Sequence, residues 1–255
     1  MEFNSFIFPT LKPTYSIDDF KGDLIWIPSK DHFTYRDKVK YNNYKTLIPS
    51  MVTKRTCGEE IETSKNPTKL RHTTRYKNSI TQRVPSISFS FENKFTKESF
   101  KEKDTYIPCL FVKNDEIISP KILLYFHANY EDLGVTFRFC CDLVSNLNLN
   151  VLAVEYPGYG VYKSSNGCNS DQILKDSAAI YTFLTEMMDI QEKNIIIMGR
   201  CIGSGPAAFL ASKFKPQCLI LLSPFKSIKA AARSIFDKMN CGWVVEKLVK
   251  ERYNT

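Results

Sequence analysis

One short stretch of the sequence has residue types and a spacing that could support nucleophilic chemistry. The segment IIIMGRCIGSG, residues 195–205, joins an apolar run to a Gly-x-Cys-x-Gly motif. This is the spacing of a nucleophile elbow, a strained strand-to-helix turn in which small residues flank the nucleophile. A thiol at a helix N-terminus can have its pKa lowered from about 8.5 into the range of about 3.5 to 7.5. Cys201 is therefore a candidate nucleophile, with Arg200 as a neighbouring positive charge; the alternative is that Cys201 only packs.

Attack by such a nucleophile on a carbonyl creates an oxyanion, which backbone N–H groups must stabilise. We expect one N–H from Ile202 and a second from the loop at residues 128–129, with Asn129 as the candidate donor. Release of a bound acyl group also requires a base that activates water. The chain contains only three histidines, none of which follows Cys201 in the sequence: His32, His72 and His127.

From about residue 85 onward, short apolar runs alternate with helix-length amphipathic segments. Near-continuous apolar runs are typical of strands buried in a parallel sheet, and they lie at 122–126, 151–156, 194–199 and 218–222. Four helix faces are predicted from apolar spacings of three or four: Leu133, Phe137, Cys140, Val144 and Leu147; Ile173, Ile180, Leu184 and Met187; Ala207, Leu210, Ala211 and Phe214; Ile228, Ala232, Ile235 and Met239. This alternation predicts a mostly parallel α/β sheet with helices on both faces. Residues 86–91 and 105–112 are expected to form a hairpin ahead of it.

The first part of the chain has a different character. Residues 1–84 are interpreted as an N-terminal arm and residues 85–255 as the α/β domain. Within the arm, residues 54–83 carry eight Lys or Arg against three Glu and few aromatic residues, which favours a solvated, flexible loop. Weak contact with an anionic membrane surface is the alternative, while nucleic acid is not expected as a partner. The eight cysteines have no metal-ligand spacing, so we expect reduced thiols, no metal and no cofactor.

Four motifs carry a resemblance to a known family: HANYEDLG at 127–134, EYPGYG at 155–160, GRCIGSGPA at 199–207 and LLSPFKSI at 221–228. In this order they resemble the α/β-hydrolase superfamily, in particular the acyl-protein thioesterases (depalmitoylases) of the α/β-hydrolase-domain 17 type and serine aminopeptidase S33-like proteins. The opening FPTLKPTYS is similar to the lead-in of the same group. The resemblance implies an α/β-hydrolase fold, a nucleophile at position 201 and a scaffold role for His127 in the oxyanion loop.

The chain departs from that family pattern at the site itself. Family members carry Ser where this chain has Cys201, and Gly where it has Ala128. The family's catalytic Asp and His follow two further strands, so we expect this sequence to be C-terminally truncated, without those strands and their helices. Asp237, Glu246 and Glu251 lie downstream of Cys201 but in patterns typical of solvated residues.

Two functions of different class remain open at this point. The first is an acyl thioester or ester hydrolase, with an acylated protein or a small acyl thioester as substrate and protein depalmitoylation as the specific expectation. The second is an inactive relative that binds a partner or a lipid with the same fold. Residues 1–10 lack the basic start and the long apolar stretch of a signal peptide, and no apolar run approaches the roughly 18 residues that span a membrane. We therefore expect an intracellular, cytoplasmic protein that is peripheral at membranes through its basic arm.

Overall fold

A computed structural model describes residues 8, 12–20, 23–29, 106–114, 119–165, 167–227, 229, 230 and 233. The chain divides into two compact units, residues 1–53 with 104–255 and residues 54–103. All described residues belong to the first unit. Every helix among them is too short or too polar to cross a bilayer.

A six-stranded sheet forms the centre of this unit. Its strands are β1 (Leu24–Pro28), β2 (Tyr106–Val112), β3 (Ile122–Phe126), β4 (Asn150–Val154), β5 (Ile195–Arg200) and β6 (Cys218–Leu222). Their order across the sheet is β1-β2-β4-β3-β5-β6. Strands β3 to β6 run parallel, whereas β1 and β2 are antiparallel to their neighbours. The predicted mostly parallel sheet is confirmed.

Helices cover both faces of the sheet, as predicted. They are α1 (Leu133–Leu147), α2 (Ser170–Thr182), continued by a π-helical turn (Phe183–Met187), and α3 (Ser204–Lys213). Because side chains alternate along a strand, Leu123 and Tyr125 of β3 pack with α1, whereas Leu124 and Phe126 pack with α2 and α3. The two cores therefore lie on opposite faces of one sheet.

The predicted helix faces agree with the burial in most positions. All four apolar positions of the second face are buried, from Ile173 to Met187. Leu147 is an exception, since 52% of it is exposed. It is the last residue of α1, and the left-handed backbone of Asn148 ends the helix there, before β4 begins at Asn150. The apolar positions of the fourth predicted face lie outside the described residues.

The edge strand β1 corrects the expected hairpin. Residues 105–112 were predicted to pair with 86–91, but β2 pairs with Leu24–Pro28 on one side and with β4 on the other. Both edges of β2 are thus occupied, and residues 86–91 lie outside the described residues. Leu24–Pro28 belongs to the segment interpreted as an arm, yet it completes the sheet. The basic residues 54–83 also lie outside the described residues.

Candidate active site

The predicted elbow forms where β5 ends and α3 begins. Cys201 has a φ of 51°, a left-handed conformation that is uncommon and strained for a residue with a side chain. A single 3-10 turn, Cys201–Gly203, then leads into Ser204 at the start of α3. The Cys201 side chain is partly exposed, so the thiol lies at the surface of the bend rather than in the core. This is the geometry expected of an elbow nucleophile.

The two flanking glycines are required by close backbone approach. A Cβ on Gly199 would overlap the carbonyl oxygen of Gly203 across the turn. A Cβ on Gly203 would overlap the carbonyl oxygen of Phe126 and lie 2.9 Å from that of His127. The elbow therefore packs directly against the end of β3, where the HANYEDLG loop begins. Backbone register agrees, because Phe126 is paired with Gly199.

His127 lies under this loop and is completely buried. Its Nδ1 is 2.9 Å from the carbonyl oxygen of Ala128, and its Nε2 is 3.0 Å from Oε1 of Glu155. The hydroxyl of Tyr156 donates to the His127 carbonyl oxygen at 2.8 Å, and the two rings are in contact, tilted by 36° with centroids 4.1 Å apart. Both ring nitrogens are engaged inside the protein, a geometry that fits the predicted scaffold role.

Glu155 is a buried carboxylate at the start of the EYPGYG motif, and no role was predicted for it from the sequence. It ends the apolar run of β4 and is fully buried. Besides His127, it accepts hydrogen bonds from the backbone N–H groups of Leu133 and Tyr156 and from the hydroxyl of Tyr15. An acidic residue directly after a buried strand was the available signal, since a charge is rarely buried unless partners compensate it.

Glu131 connects the loop to the elbow. Its Oε1 accepts from the Arg200 guanidinium at 2.7 Å, and its Oε2 accepts from the Ala128 N–H at 3.0 Å. The positive charge expected beside Cys201 is therefore balanced by a carboxylate. The Ala128 N–H donates to Glu131. The oxyanion donors predicted from the sequence are Asn129 in this loop and Ile202 in the elbow. The Asn129 side chain accepts from the Tyr159 hydroxyl at 2.8 Å.

Asp132 closes the loop as the N-cap of α1. Its Oδ1 accepts from the Val135 N–H at 3.0 Å, which satisfies one of the unpaired N–H groups of the first helical turn. The same carboxylate accepts from the backbone N–H of Thr14 at 2.7 Å and from the Thr14 hydroxyl.

The next turn of the site, residues 157–160, contains Gly158 and Gly160 at φ values of 85° and 47°. Glycine adopts these left-handed conformations without the steric cost that a side chain would add, which explains the two glycines there.

The other histidines and acidic residues considered from the sequence are not part of the described site. His32, His72, Asp237, Glu246 and Glu251 lie outside the described residues. Within the described part of the chain, the structure brings together Cys201, Ile202, His127 and the Asn129 loop at the adjoining ends of β3 and β5.

The comparisons with known proteins agree with the sequence resemblance. No protein-family profile matches the chain. It is 34% identical over 125 residues to the mouse α/β-hydrolase domain-containing protein 17C, covering 49% of this chain and 38% of that protein. It is 34% identical over 128 residues to the human α/β-hydrolase domain-containing protein 17B, covering 49% of this chain and 42% of that protein. The matched region thus spans about two fifths of these relatives' length.

Solved structures with partial similarity include an α/β hydrolase from Vibrio vulnificus, with a TM-score of 0.44 and 18% identity over 57% of this chain and 52% of that one. A Pyrococcus furiosus esterase, Pf2001, has a TM-score of 0.42 and 16% identity, covering 60% of each chain.

Proposed function

The chain has an α/β-hydrolase fold and resembles the domain 17 proteins, and on this premise we propose that it reacts with acyl thioesters through Cys201. The observation that carries the proposal is the strained backbone of the partly exposed Cys201. The two glycines that flank it, Gly199 and Gly203, lie where only glycine fits, and Gly203 packs directly against the start of the His127 loop. Strain of this kind is costly and is concentrated at functional sites. A packing role alone gives no reason for it.

The proposed step transfers the acyl group from the thiol of the substrate to the thiol of Cys201. The Cys201 thiol gives its proton to solvent and its thiolate attacks the carbonyl carbon. The carbonyl electrons move to oxygen, and the N–H groups of Ile202 and Asn129 receive the oxyanion. Collapse expels the thiolate of the leaving thiol, which takes a proton from solvent, and leaves an acyl group on Cys201. One thioester replaces another, so the exchange is nearly balanced in free energy. An oxygen ester would have to form a less stable thioester, so acyl thioesters are the preferred substrate class.

Acylated proteins and small acyl thioesters both offer this bond, and protein depalmitoylation is the specific reaction proposed. Complete turnover also requires a base that activates water for deacylation. Within the described residues the one histidine is His127, and both of its nitrogens are bound to Ala128 and Glu155. We therefore expect Cys201 to be acylated rapidly and deacylated slowly. The amount of thiol released in the initial burst should equal the molar amount of protein.

The second candidate function is binding without catalysis: the chain would use its α/β-hydrolase fold to bind a partner and would not convert a substrate. The buried and fully engaged His127 favours it, because no described group is placed to serve as the base. This candidate predicts no covalent adduct at all. Weak contact of the basic residues 54–83 with anionic membranes is part of either proposal and fits a peripheral cytoplasmic protein.

Intact-mass measurement after incubation with palmitoyl-CoA tests the proposal. The expected result is one acyl increment, absent in Cys201→Ala. Cys218→Ala is the matched control, because Cys218 is an exposed thiol at the opposite end of its strand from the elbow and reports nonspecific acylation. An adduct that survives in Cys201→Ala would contradict the proposed acylation of Cys201. So would the absence of any adduct up to about pH 9, where a free thiol is ionised, and the binding function would then be the remaining candidate.

A further inference from the structure

The N-terminal segment at residues 12–20, here called the strap, contacts the site at two carboxylates. Thr14 binds Asp132, the cap of α1, through its backbone N–H and its hydroxyl. Tyr15 is buried and donates its hydroxyl to Oε2 of Glu155 at 2.8 Å. Both contacts join residues more than a hundred positions apart, so the site itself holds this part of the strap.

Space for the Tyr15 hydroxyl is provided by the turn after β4. Gly160 has a left-handed φ of 47°, and a Cβ there would overlap Oε2 of Glu155 and lie 2.7 Å from the Tyr15 hydroxyl. Gly134 is similarly restricted, because a Cβ would overlap the Thr14 hydroxyl oxygen and lie 3.0 Å from the Tyr15 Cβ. Two glycines of the motifs that identified the family are therefore required for seating the strap.

The hydrogen-bond geometry fixes the protons of the buried pair. The Ala128 carbonyl oxygen can only accept, so Nδ1 of His127 carries a hydrogen. Glu155 faces three further donors, the hydroxyl of Tyr15 and two backbone N–H groups, as an ionised carboxylate does. Its Oε1 is therefore the acceptor for Nε2 of His127 at 3.0 Å. Burial and the Glu155 charge raise the pKa of Tyr15, which keeps its hydroxyl a donor.

We propose that Tyr15 is a positioning residue for the candidate active site. By donating to Glu155 it stabilises the carboxylate that orients the His127 ring. The His127 ring and carbonyl oxygen in turn hold the Ala128–Asn129 backbone and the floor of the elbow. The strap thus sets the geometry of the oxyanion loop without touching the reacting atoms. The catalytic part of this inference rests on the proposed acylation of Cys201; the structural part does not.

The test uses the full chain with Tyr15→Phe, which keeps the buried ring and removes only the hydroxyl. Tyr181→Phe is the matched control: Tyr181 is also buried and donates its hydroxyl to a carboxylate, Glu192, at 3.1 Å, between α2 and β5. In a background with His32→Gln and His72→Gln, His127 is the single histidine, so ¹⁵N-histidine labelling reports on its ring alone.

We expect Tyr15→Phe to move the His127 ring resonances and to speed solvent exchange of its Nε2–H, and Tyr181→Phe to change neither. Acylation of Cys201 by palmitoyl-CoA should be at least about tenfold slower in Tyr15→Phe than in wild type and unchanged in Tyr181→Phe. Tenfold is about the effect of losing one hydrogen bond to a charged group. Unchanged His127 resonances in Tyr15→Phe would overturn the inference. Shifted resonances with an unchanged acylation rate would overturn its catalytic part.

The two proposals can fail separately. If the wild-type chain forms no adduct, the proposed function fails, and the His127 resonances still decide whether Tyr15 positions the loop. If Tyr15→Phe does not fold, the wild-type chain provides a second test, because a Tyr15 hydroxyl that is buried and bound to Glu155 should exchange slowly with solvent. A slowly exchanging Tyr15 hydroxyl proton in the NMR spectrum would support its contact with Glu155, and exchange as fast as that of an exposed tyrosine would refute it.

Discussion

At the scale of single residues, Gly203 shows how little freedom the elbow has. Its φ of −65° is open to any residue, so only the close approach to Phe126 and His127 excludes a side chain. Gly203→Ala should lower the free energy of unfolding by about 1 to 3 kcal/mol or more, the usual cost of overpacking. Urea unfolding measures it. Gly167→Ala is the contrasting variant, because Gly167 has a φ of 64° with open space around it and carries only a conformational cost.

If Gly203→Ala costs no more than Gly167→Ala, close packing at Gly203 would add no more than the conformational cost of a left-handed residue. The elbow would then be less tightly enclosed than the contacts with β3 indicate. A smaller loss at Gly203 would argue against the packed elbow in the same way.

Asp176 is a second residue whose environment predicts a measurable effect. It is buried in α2 and accepts from Ser29, Tyr162 and Gln172, yet burial raises its pKa above the ordinary value of 3.8. The folded state therefore binds this proton more tightly than the unfolded state does. Its contribution to stability is present below about pH 3.8 and is lost as the pH rises through the folded value.

Asp176→Asn should remove that loss, so the variant's stability should decline less than wild type between pH 4 and neutral pH. An asparagine can accept from Ser29 and Gln172 and donate to the Tyr162 oxygen. Thermal melts across this pH range provide the measurement. Asp142→Asn, an exposed carboxylate on α1, is the control. Parallel pH profiles for wild type and Asp176→Asn would show that Asp176 does not have a raised pKa.

At the scale of elements, α1 depends on one cap. Asp132→Ala removes the acceptor for Val135 and both Thr14 contacts. We expect a loss of about 0.5 to 2 kcal/mol from the cap alone, or roughly 1 to 8 °C in melting temperature for a chain of this size. Asp132→Asn keeps a capping oxygen and should lose less. An unchanged melting temperature in Asp132→Ala would contradict the assignment of this cap.

The elements that could be predicted from the sequence are those whose signal is local. Strand β3 is a five-residue apolar run and matches its predicted bounds, because a strand buried on both faces needs apolar residues throughout. Strand β1, LIWIP, is an apolar run as well, but it stands alone in a polar segment, apart from the alternating strands and helices that predicted the sheet. It becomes a strand only because β2 presents an open edge to it.

The site shows the same division between local and non-local signals. The elbow at Cys201 was predicted from glycine spacing, which is a property of five consecutive residues. The partnership of Tyr15 with Glu155 depends on residues 140 positions apart, and no local pattern contains it. The cap that Asp132 provides is local, because a cap and its helix are adjacent, whereas its contact with Thr14 joins residues 118 positions apart.

At the scale of the whole molecule, the edge of the sheet at β6 determines how copies of this chain should behave together. Within the described residues no strand pairs with the outer edge of β6, and Leu219 and Leu222 are each 37% exposed. An apolar strand with an open edge favours pairing between chains. The net charge of +8 opposes such contact at low ionic strength, and salt screens it.

We therefore expect the chain to self-associate increasingly as salt is raised from about 0.02 to 0.5 M, a range over which the screening length falls below about 10 Å. Sedimentation velocity should show a rising weight-average mass. Leu219→Lys places a charge on the edge strand and should reduce the association, because charged side chains block edge-to-edge pairing. Leu147→Lys, at an exposed apolar residue that ends α1, is the control for added charge. Equal suppression by both variants would assign the effect to net charge and not to β6.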